Sequence, residues 1–323
     1  MRAFVFPGQG SQKIGMGADL ADASAAARAV FEEVDDALGQ KLFALMREGP
    51  EDQLTLTENA QPAIMANAIA VLRVLEQEGG IALADKADCV AGHSLGEYTA
   101  LCAAGAFSLA DTARLLKLRG QAMQAAVPVG IGAMAALLGA DVEKAQALAD
   151  AAAEGPLPGR ESRLVCTVAN DNDPTQVVIS GHREAIERAI ALVKEPGGSW
   201  GIKRGILLPV SAPFHCPLMQ PAADAMADAL DQTSPGALRL PLYANVTASA
   251  VDDPAEIRRL LVEQVTGRVR WRESVLAMVA AGTEHFVELG GKVLGPMIGR
   301  IAPDAKVTSV ITMADIEALA KEL

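Results

Sequence analysis

The stretch from Asp88 to Ala104 constrains the fold more than any other. Asp88 to Ala91 reads as a short buried strand, Gly92-His93-Ser94-Leu95-Gly96 follows directly, and an apolar helix pattern runs to about Ala104. Gly-x-Ser-x-Gly in that order has the form of a nucleophile elbow, where small residues on either side let the chain turn sharply and lift the serine hydroxyl clear of the backbone. The pattern is short enough to recur by chance, so the strand before it and the helix after it carry the inference. Without them it would be an ordinary tight turn.

The rest of the chain supplies the layers such a unit needs. Ala3 to Phe6 reads as a second buried strand, closed by Pro7-Gly8 and followed by the glycine-rich GQGSQ at 8–12. Asp22 to Leu38 and Gln61 to Glu78 have apolar residues at helical spacing, and Asp111 to Gln124 forms a further helix. From Gly132 the pattern changes. Strand candidates at Ala133 to Leu138, Leu164 to Ala169, Gln176 to Ser180 and Ile202 to Leu208 enclose helices at Asp141 to Ala153 and Arg183 to Lys194, an order of βαββαβ. Beyond Leu208, Pro217 to Leu230 reads as helix, Leu240 to Asn245 as strand, Arg272 to Ala281 as helix, His285 to Leu289 as strand and Asp315 to Leu323 as helix. The expected fold is α/β: a hydrolase-like body formed by residues 1–130 and 209–323, with a ferredoxin-like (βαββαβ) subdomain inserted at 131–208. A cleft is expected between them. Glu154 to Gly159 reads as a Pro/Gly-rich excursion.

Charge and cysteine usage narrow the function. The 28 basic residues against 40 acidic ones leave a net charge of −12, which argues against nucleic acid as a partner, since that binding rests on neutralising phosphates. The four cysteines are far apart, so no metal or redox motif is expected and a reducing cytoplasm fits best. MRAFVFPGQG reaches its Pro-Gly turn too early for a secretory h-region. Gly120 to Ala140 carries no charge but is broken by Pro128 and several glycines, so it reads as helix end, turn and strand, with no membrane association. A monomer is expected.

A serine nucleophile needs a base, an oxyanion hole and a means of holding substrate. Ser94 would stand at a helix N-terminus, so the Leu95 N–H becomes one oxyanion donor, and Gln9, on a loop whose glycines permit close approach, offers the second. GQGSQ could also be a phosphate loop, but no Gly-Lys-Ser/Thr follows and the spacing is not Gly-x-Gly-x-x-Gly. Of the four histidines, His93 would point away at the turn, His182 lies in the insert, and His285 opens an apolar strand. His215, held between Pro213 and Pro217, is the candidate base. No acid between Ser94 and His215 stands at a strand end, so a carbonyl or amide oxygen would have to orient the imidazole. Arg119 falls on the apolar face of its helix, unlike Arg114 and Lys117. As a buried cation it could pair with a protein carboxylate or grip a substrate carboxylate with parallel bonds.

Taken in order, GQGSQ at 8–12, GHSLGEY at 92–98, LRGQAMQ at 118–124, GAMAALLG at 132–139, SAPFHCPLM at 211–219, NVTA at 245–248 and QVTGRVRW at 264–271 resemble the malonyl-CoA:acyl carrier protein transacylases, the acyltransferase family of fatty acid and polyketide synthesis. The resemblance spans nearly the whole chain. It implies a malonyl-serine intermediate at Ser94, His215 as base, Gln9 and Leu95 as oxyanion donors, Arg119 as the clamp on the malonyl carboxylate, and the main-chain carbonyl of Gln264 in place of the acid. Gln61 matches a pocket-lining glutamine, and Phe214 is similar to the malonyl-selecting form of related domains. Malonyl-CoA and acyl carrier protein are the implied partners; coenzyme A thioester is substrate, and no cofactor or metal is implied. Arg268 stands where proline is common, and Gly290-Gly291 follows Glu288-Leu289 where the family has Gly-Pro. The rival readings are a serine esterase or thioesterase, with water as acceptor, and a binding protein with a degenerate site. Arg268, Arg270, Arg272, Lys292 and Arg300, with Lys194, Lys203 and Arg204 at the edge of the insert, are candidate contacts for an acidic carrier protein.

Overall fold

The computed structural model describes residues 1–154, 163–195 and 200–323. Its strands are β1 (Arg2–Phe6), β2 (Cys89–Gly92), β3 (Gly132–Leu138), β4 (Cys166–Asp173), β5 (Gln176–His182), β6 (Arg204–Leu207), β7 (Leu242–Ala244), β8 (Ser249–Val251), β9 (His285–Leu289) and β10 (Lys306–Val310). They form two sheets: one of six strands in the order β10-β9-β1-β2-β7-β8, and one of four in the order β4-β5-β3-β6. Every neighbouring pair in the larger sheet is parallel except β7 with β8.

A parallel sheet must be covered on both faces, which explains the unbroken apolar run of β1. Alternate residues go to opposite sides. Phe4, Phe6 and Val90 join the core under the Thr57–Gln77 and Leu109–Ala125 helices, whereas Ala3, Val5, Cys89 and Ala91 pack with Trp271, Val275 and Met278 of the Trp271–Ala280 helix. In the smaller sheet β3 pairs antiparallel with β5 and β6, and β4 with β5, which is the ferredoxin-like arrangement. Here Ala133, Ala135 and Leu137 face the Val142–Ala153 and Arg183–Lys194 helices, while Met134 and Ala136 turn to the main core.

Where structure and sequence reading differ, the causes are local. The first helix is split into Ala18–Ala23 and Ala25–Leu38 because Ser24 is extended and accepts the Ala27 N–H as an N-cap. Strand β4 continues to Asp173, past the expected end at Ala169, because its polar tail Asn170–Asp173 is buried and paired. The strands β8 and β10 and the Pro254–Thr266 helix, which begins at a Pro with Asp253 as its cap, lie in segments assigned no element. Of the expected excursion at Glu154 to Gly159, residues 155–159 lie outside the described residues.

The smaller sheet is bolted to the larger body. Asn170 forms a parallel bridge with Val269, through Asp171 N–H to Val269 O at 2.9 Å and Val269 N–H to Ala169 O at 2.8 Å. The buried carboxylates of Asp171 and Asp173 meet Arg272 at 2.9 Å and Arg300 at 2.7 Å. Among the described residues, no helix is long and apolar enough to cross a membrane.

Candidate active site

Parallel strands place their carboxyl ends along one sheet edge, and the loops that leave that edge build the site. Gln9 follows β1, Ser94 follows β2, and Asn245 follows β7. The elbow is tight. A Cβ on Gly92 would come within 1.9 Å of Gly96 backbone, and one on Gly96 within 2.2 Å of the Phe6 carbonyl oxygen, so both glycines are steric requirements of the turn. Ser94 itself has φ of 54°, a left-handed conformation that a side chain rarely adopts. Its N–H donates to Asn245 Oδ1 at 2.8 Å, and Asn245 Nδ2 donates to the Gly92 carbonyl at 2.6 Å, so one buried amide braces both sides of the turn.

Ser94 Oγ lies 2.8 Å from His215 Nε2, and His215 Nδ1 lies 2.9 Å from the main-chain oxygen of Gln264. A carbonyl can only accept, so Nδ1 carries the proton and Nε2 is left to accept the serine O–H. His215 also has a positive φ, 56°, held by the loop between Pro213 and Pro217. Burial, reinforced by the nearby Arg119 charge, pushes its pKa down to about 3, so the imidazole is neutral at physiological pH.

Arg119 is 1% exposed and donates to Gln61 Oε1 at 2.7 Å, Gln264 Oε1 at 2.9 Å and Ser94 Oγ at 3.2 Å. Among the described residues none of its partners is a carboxylate, and its Nε has no partner. The salt bridge that the sequence left open is therefore not formed. Burial lowers the Arg119 pKa, with Tyr98 and Glu97 acting in the opposite direction. Gln61 is fixed in turn by donating to Thr57 Oγ1 at 2.9 Å, and Thr57 Oγ1 donates to Gln9 Oε1 at 3.2 Å.

These groups line one cavity of about 290 Å³, whose walls include Gln9, Gln61, Ser94, Leu95, Arg119 and His215. Phe214 and Met134 also border it, so the inserted sheet contributes a wall. His93 does not simply turn away: it lines the cavity too, with Nε2 2.9 Å from Asn172 Oδ1 across on β4.

Sequence reasoning assigned no role to Asn245 or Glu97, and gave Gln264 only its main-chain oxygen. Its side chain is as well placed as its carbonyl, with Nε2 donating to the Ser94 carbonyl at 3.0 Å and Glu97 Oε2 at 3.1 Å. A signal for Glu97 was present, since it is an acid in the first turn of the otherwise apolar helix that follows the nucleophile. The proposed basic patch is largely spent on internal pairing: Arg268 and Arg270 share Glu273, Arg272 holds Asp171, and Arg300 holds Asp173. Among the described residues Lys194, Lys203 and Arg204 are exposed and form no ion pair.

A serine, a neutral imidazole and a guanidinium with no carboxylate bonded to it among the described residues, all around one cavity, suit acyl transfer from an acid-bearing donor, and comparison with known proteins agrees. The family model described as "Acyl transferase domain" matches residues 3–292. The chain is 44% identical over 322 residues to malonyl CoA-acyl carrier protein transacylase of Escherichia coli K12, covering 99% of each. It superposes with a TM-score of 0.92 on the acyl-carrier-protein S-malonyltransferase of Bartonella henselae, 52% identical, covering 99% of this chain and 98% of that one. A malonyl-transacylase solved in complex with its type II PKS acyl-carrier protein gives a TM-score of 0.92 at 38% identity, covering 100% of this chain and 99% of that one. With fold, site and sequence in agreement along almost its whole length, this chain belongs to the acyl transferase domain family, among its malonyl-CoA:acyl carrier protein transacylases.

Proposed function

We propose that this enzyme moves a malonyl group from malonyl-CoA to the phosphopantetheine thiol of acyl carrier protein through a malonyl ester on Ser94. The observation that carries the site assignment is the buried Arg119, 3.2 Å from the serine oxygen and, among the described residues, without a bonded carboxylate. A guanidinium withdrawn from water is strongly attracted to an entering carboxylate, which supplies two charged acceptor oxygens for direct, parallel bonds.

His215 takes the Ser94 proton as Oγ attacks the thioester carbonyl, and the N–H groups of Leu95 and Gln9 receive the oxyanion. Collapse expels the coenzyme A thiolate, which takes the proton from the imidazolium. The carrier thiol then attacks the ester by the same route, and the serine recovers its hydrogen. Throughout, Arg119 holds the far carboxylate and so orients the carbonyl for each attack. Gln61 keeps the guanidinium aimed, and Phe214 on the cavity wall crowds substituents at the α-carbon. No cofactor or metal takes part in this scheme. The enzyme acts as a cytoplasmic monomer, and its acidic carrier docks on the unpaired cations Lys194, Lys203 and Arg204 at the edge of the insert.

Incubation with malonyl-, methylmalonyl- and acetyl-CoA followed by peptide mapping tests the scheme. Malonyl on the peptide bearing Ser94 is the expected result; label elsewhere, or none, refutes it. Charge reversal at Lys203 and Arg204 should raise the KM for carrier protein and leave that for malonyl-CoA unchanged.

A further inference from the structure

Glu97 lies on the first turn of the Gly96–Ala103 helix, three residues past the nucleophile, and is 1% exposed. Its two carboxylate oxygens have different surroundings. Oε2 accepts the Asn245 N–H at 2.8 Å and Gln264 Nε2 at 3.1 Å, while Oε1 is buried with no partner among the described residues. Gln264 connects this carboxylate to Arg119: its Nε2 faces Glu97 and its Oε1 accepts from the guanidinium at 2.9 Å.

The orientation of that amide is dictated by its neighbours. Nε2 sees only acceptors, namely Ser94 O at 3.0 Å, Glu97 Oε2 at 3.1 Å and Asn245 Oδ1 at 3.3 Å. Turning the amide over would set its oxygen against all of them, one being a carboxylate, and its NH₂ against a cation.

We propose that Glu97 is a positioning residue of the acyl-transfer site, acting through Gln264: it aims the Gln264 oxygen at Arg119 while the site is empty, and it takes up one proton when a malonyl carboxylate occupies the guanidinium. This rests on the malonyl-transfer reading above. In the empty site the Arg119 and Glu97 charges offset each other across the amide. A malonyl carboxylate brings a second negative charge into the same enclosed volume, where an excess anion is costly. A proton from solvent on the unpartnered Oε1 removes it without disturbing the two bonds at Oε2. Among the described residues the groups facing Glu97 are Tyr98 on its own helix, Arg119 from the Leu109–Ala125 helix, neutral Gln264 from the Pro254–Thr266 helix and the main chain of Asn245, while His215 borders the same cavity beside Arg119. Burial already raises its pKa to about 7, within reach of neutral pH.

Ketone analogues of malonyl-CoA and acetyl-CoA, with a methylene between carbonyl and sulfur, bind without transferring their acyl group. Titration calorimetry at about pH 8, in buffers of different ionisation enthalpy, counts the protons taken up. Wild-type enzyme should take up close to one proton with the malonyl analogue and none with the acetyl analogue, and Glu97→Gln none with either. Affinity for the malonyl analogue should rise up to about tenfold per unit of falling pH between about 8 and 7 in the wild type and stay level in Glu97→Gln. Equal uptake for the two analogues, or uptake persisting in Glu97→Gln, overturns the proton linkage. Should that variant not fold, the wild-type comparison alone decides. For the positioning role, Glu97→Ala should reduce malonyl-to-acetyl selectivity and Glu97→Gln, which keeps an acceptor in place, should retain it; equal selectivity in wild type and Glu97→Ala overturns it. Absence of malonyl on Ser94 sinks the transferase reading itself, whereas malonyl-Ser94 without proton uptake sinks only the role of Glu97.

Discussion

Asn245 holds Ser94 in its left-handed conformation by accepting the serine N–H at 2.8 Å, and its own amide nitrogen is anchored on the Gly92 carbonyl. Asn245→Ala removes that acceptor and leaves buried groups unpaired on both sides of the turn. The expected cost is about 1–3 kcal/mol in urea unfolding, with a fall in the rate of serine acylation seen by rapid-quench mass spectrometry. Wild-type stability and acylation rate in the variant would refute the bracing role.

Arg119→Ala should separate acyl groups by charge. Deleting one partner of a buried, hydrogen-bonded charge pair costs about 2–5 kcal/mol, or roughly 30- to 5,000-fold, so kcat/KM for malonyl-CoA should drop within that range. Acetyl transfer has no carboxylate to lose and should hold or improve. A proportionate loss for both donors would assign Arg119 a structural role only.

Opposite signs of proton linkage should be visible in stability. The His215 pKa is depressed to about 3, so from about pH 6.5 downward the unfolded chain binds the extra proton and stability falls as pH falls. The Glu97 pKa is raised to about 7, so between about 4.5 and 7 the folded chain holds the extra proton and stability falls as pH rises. Each contributes at most about 1.4 kcal/mol per pH unit, and the two cancel where they overlap. Urea unfolding of Glu97→Gln should therefore show stability rising more steeply with pH over about 4.5–6.5, and His215→Asn should show the reverse change. Unchanged slopes in both variants would contradict the assignment.

The pairing of Asp171 with Arg272 is lopsided, the carboxylate being 1% exposed and the guanidinium 31%. Arg272→Ala strands a buried anion and should cost about 3–5 kcal/mol. Asp171→Asn leaves a cation that can turn to solvent and should cost distinctly less. Chemical denaturation of the two variants measures the difference; a larger loss for Asp171→Asn would reverse the argument.

Much of this was legible beforehand. The elbow could be read because its constraints are local: a strand, small residues and a helix within one short segment. The βαββαβ order of 132–208 was likewise visible as alternating periods. What escaped reading was polar and long-range. Asn170–Asp173 looked like a strand terminus because its buried acids are tolerable only beside Arg272 and Arg300, about 100 residues or more away in sequence. Gln264 became identifiable through family resemblance alone, since nothing near it in sequence marks the carbonyl that meets His215. Glu97 sat in plain view within GHSLGEY, but its meaning depends on an amide that arrives from another helix.

The bridge between Asn170 and Val269, with its flanking ion pairs, bears on how rigid the cavity is. Swinging the small sheet away from the large one would tear main-chain bonds and expose two carboxylates together, so hinge-like gaping is an expensive route. The seam instead keeps Met134 of the small sheet at a fixed setting against Ser94 and Arg119 of the large body, so the walls that meet the acyl group stay in register.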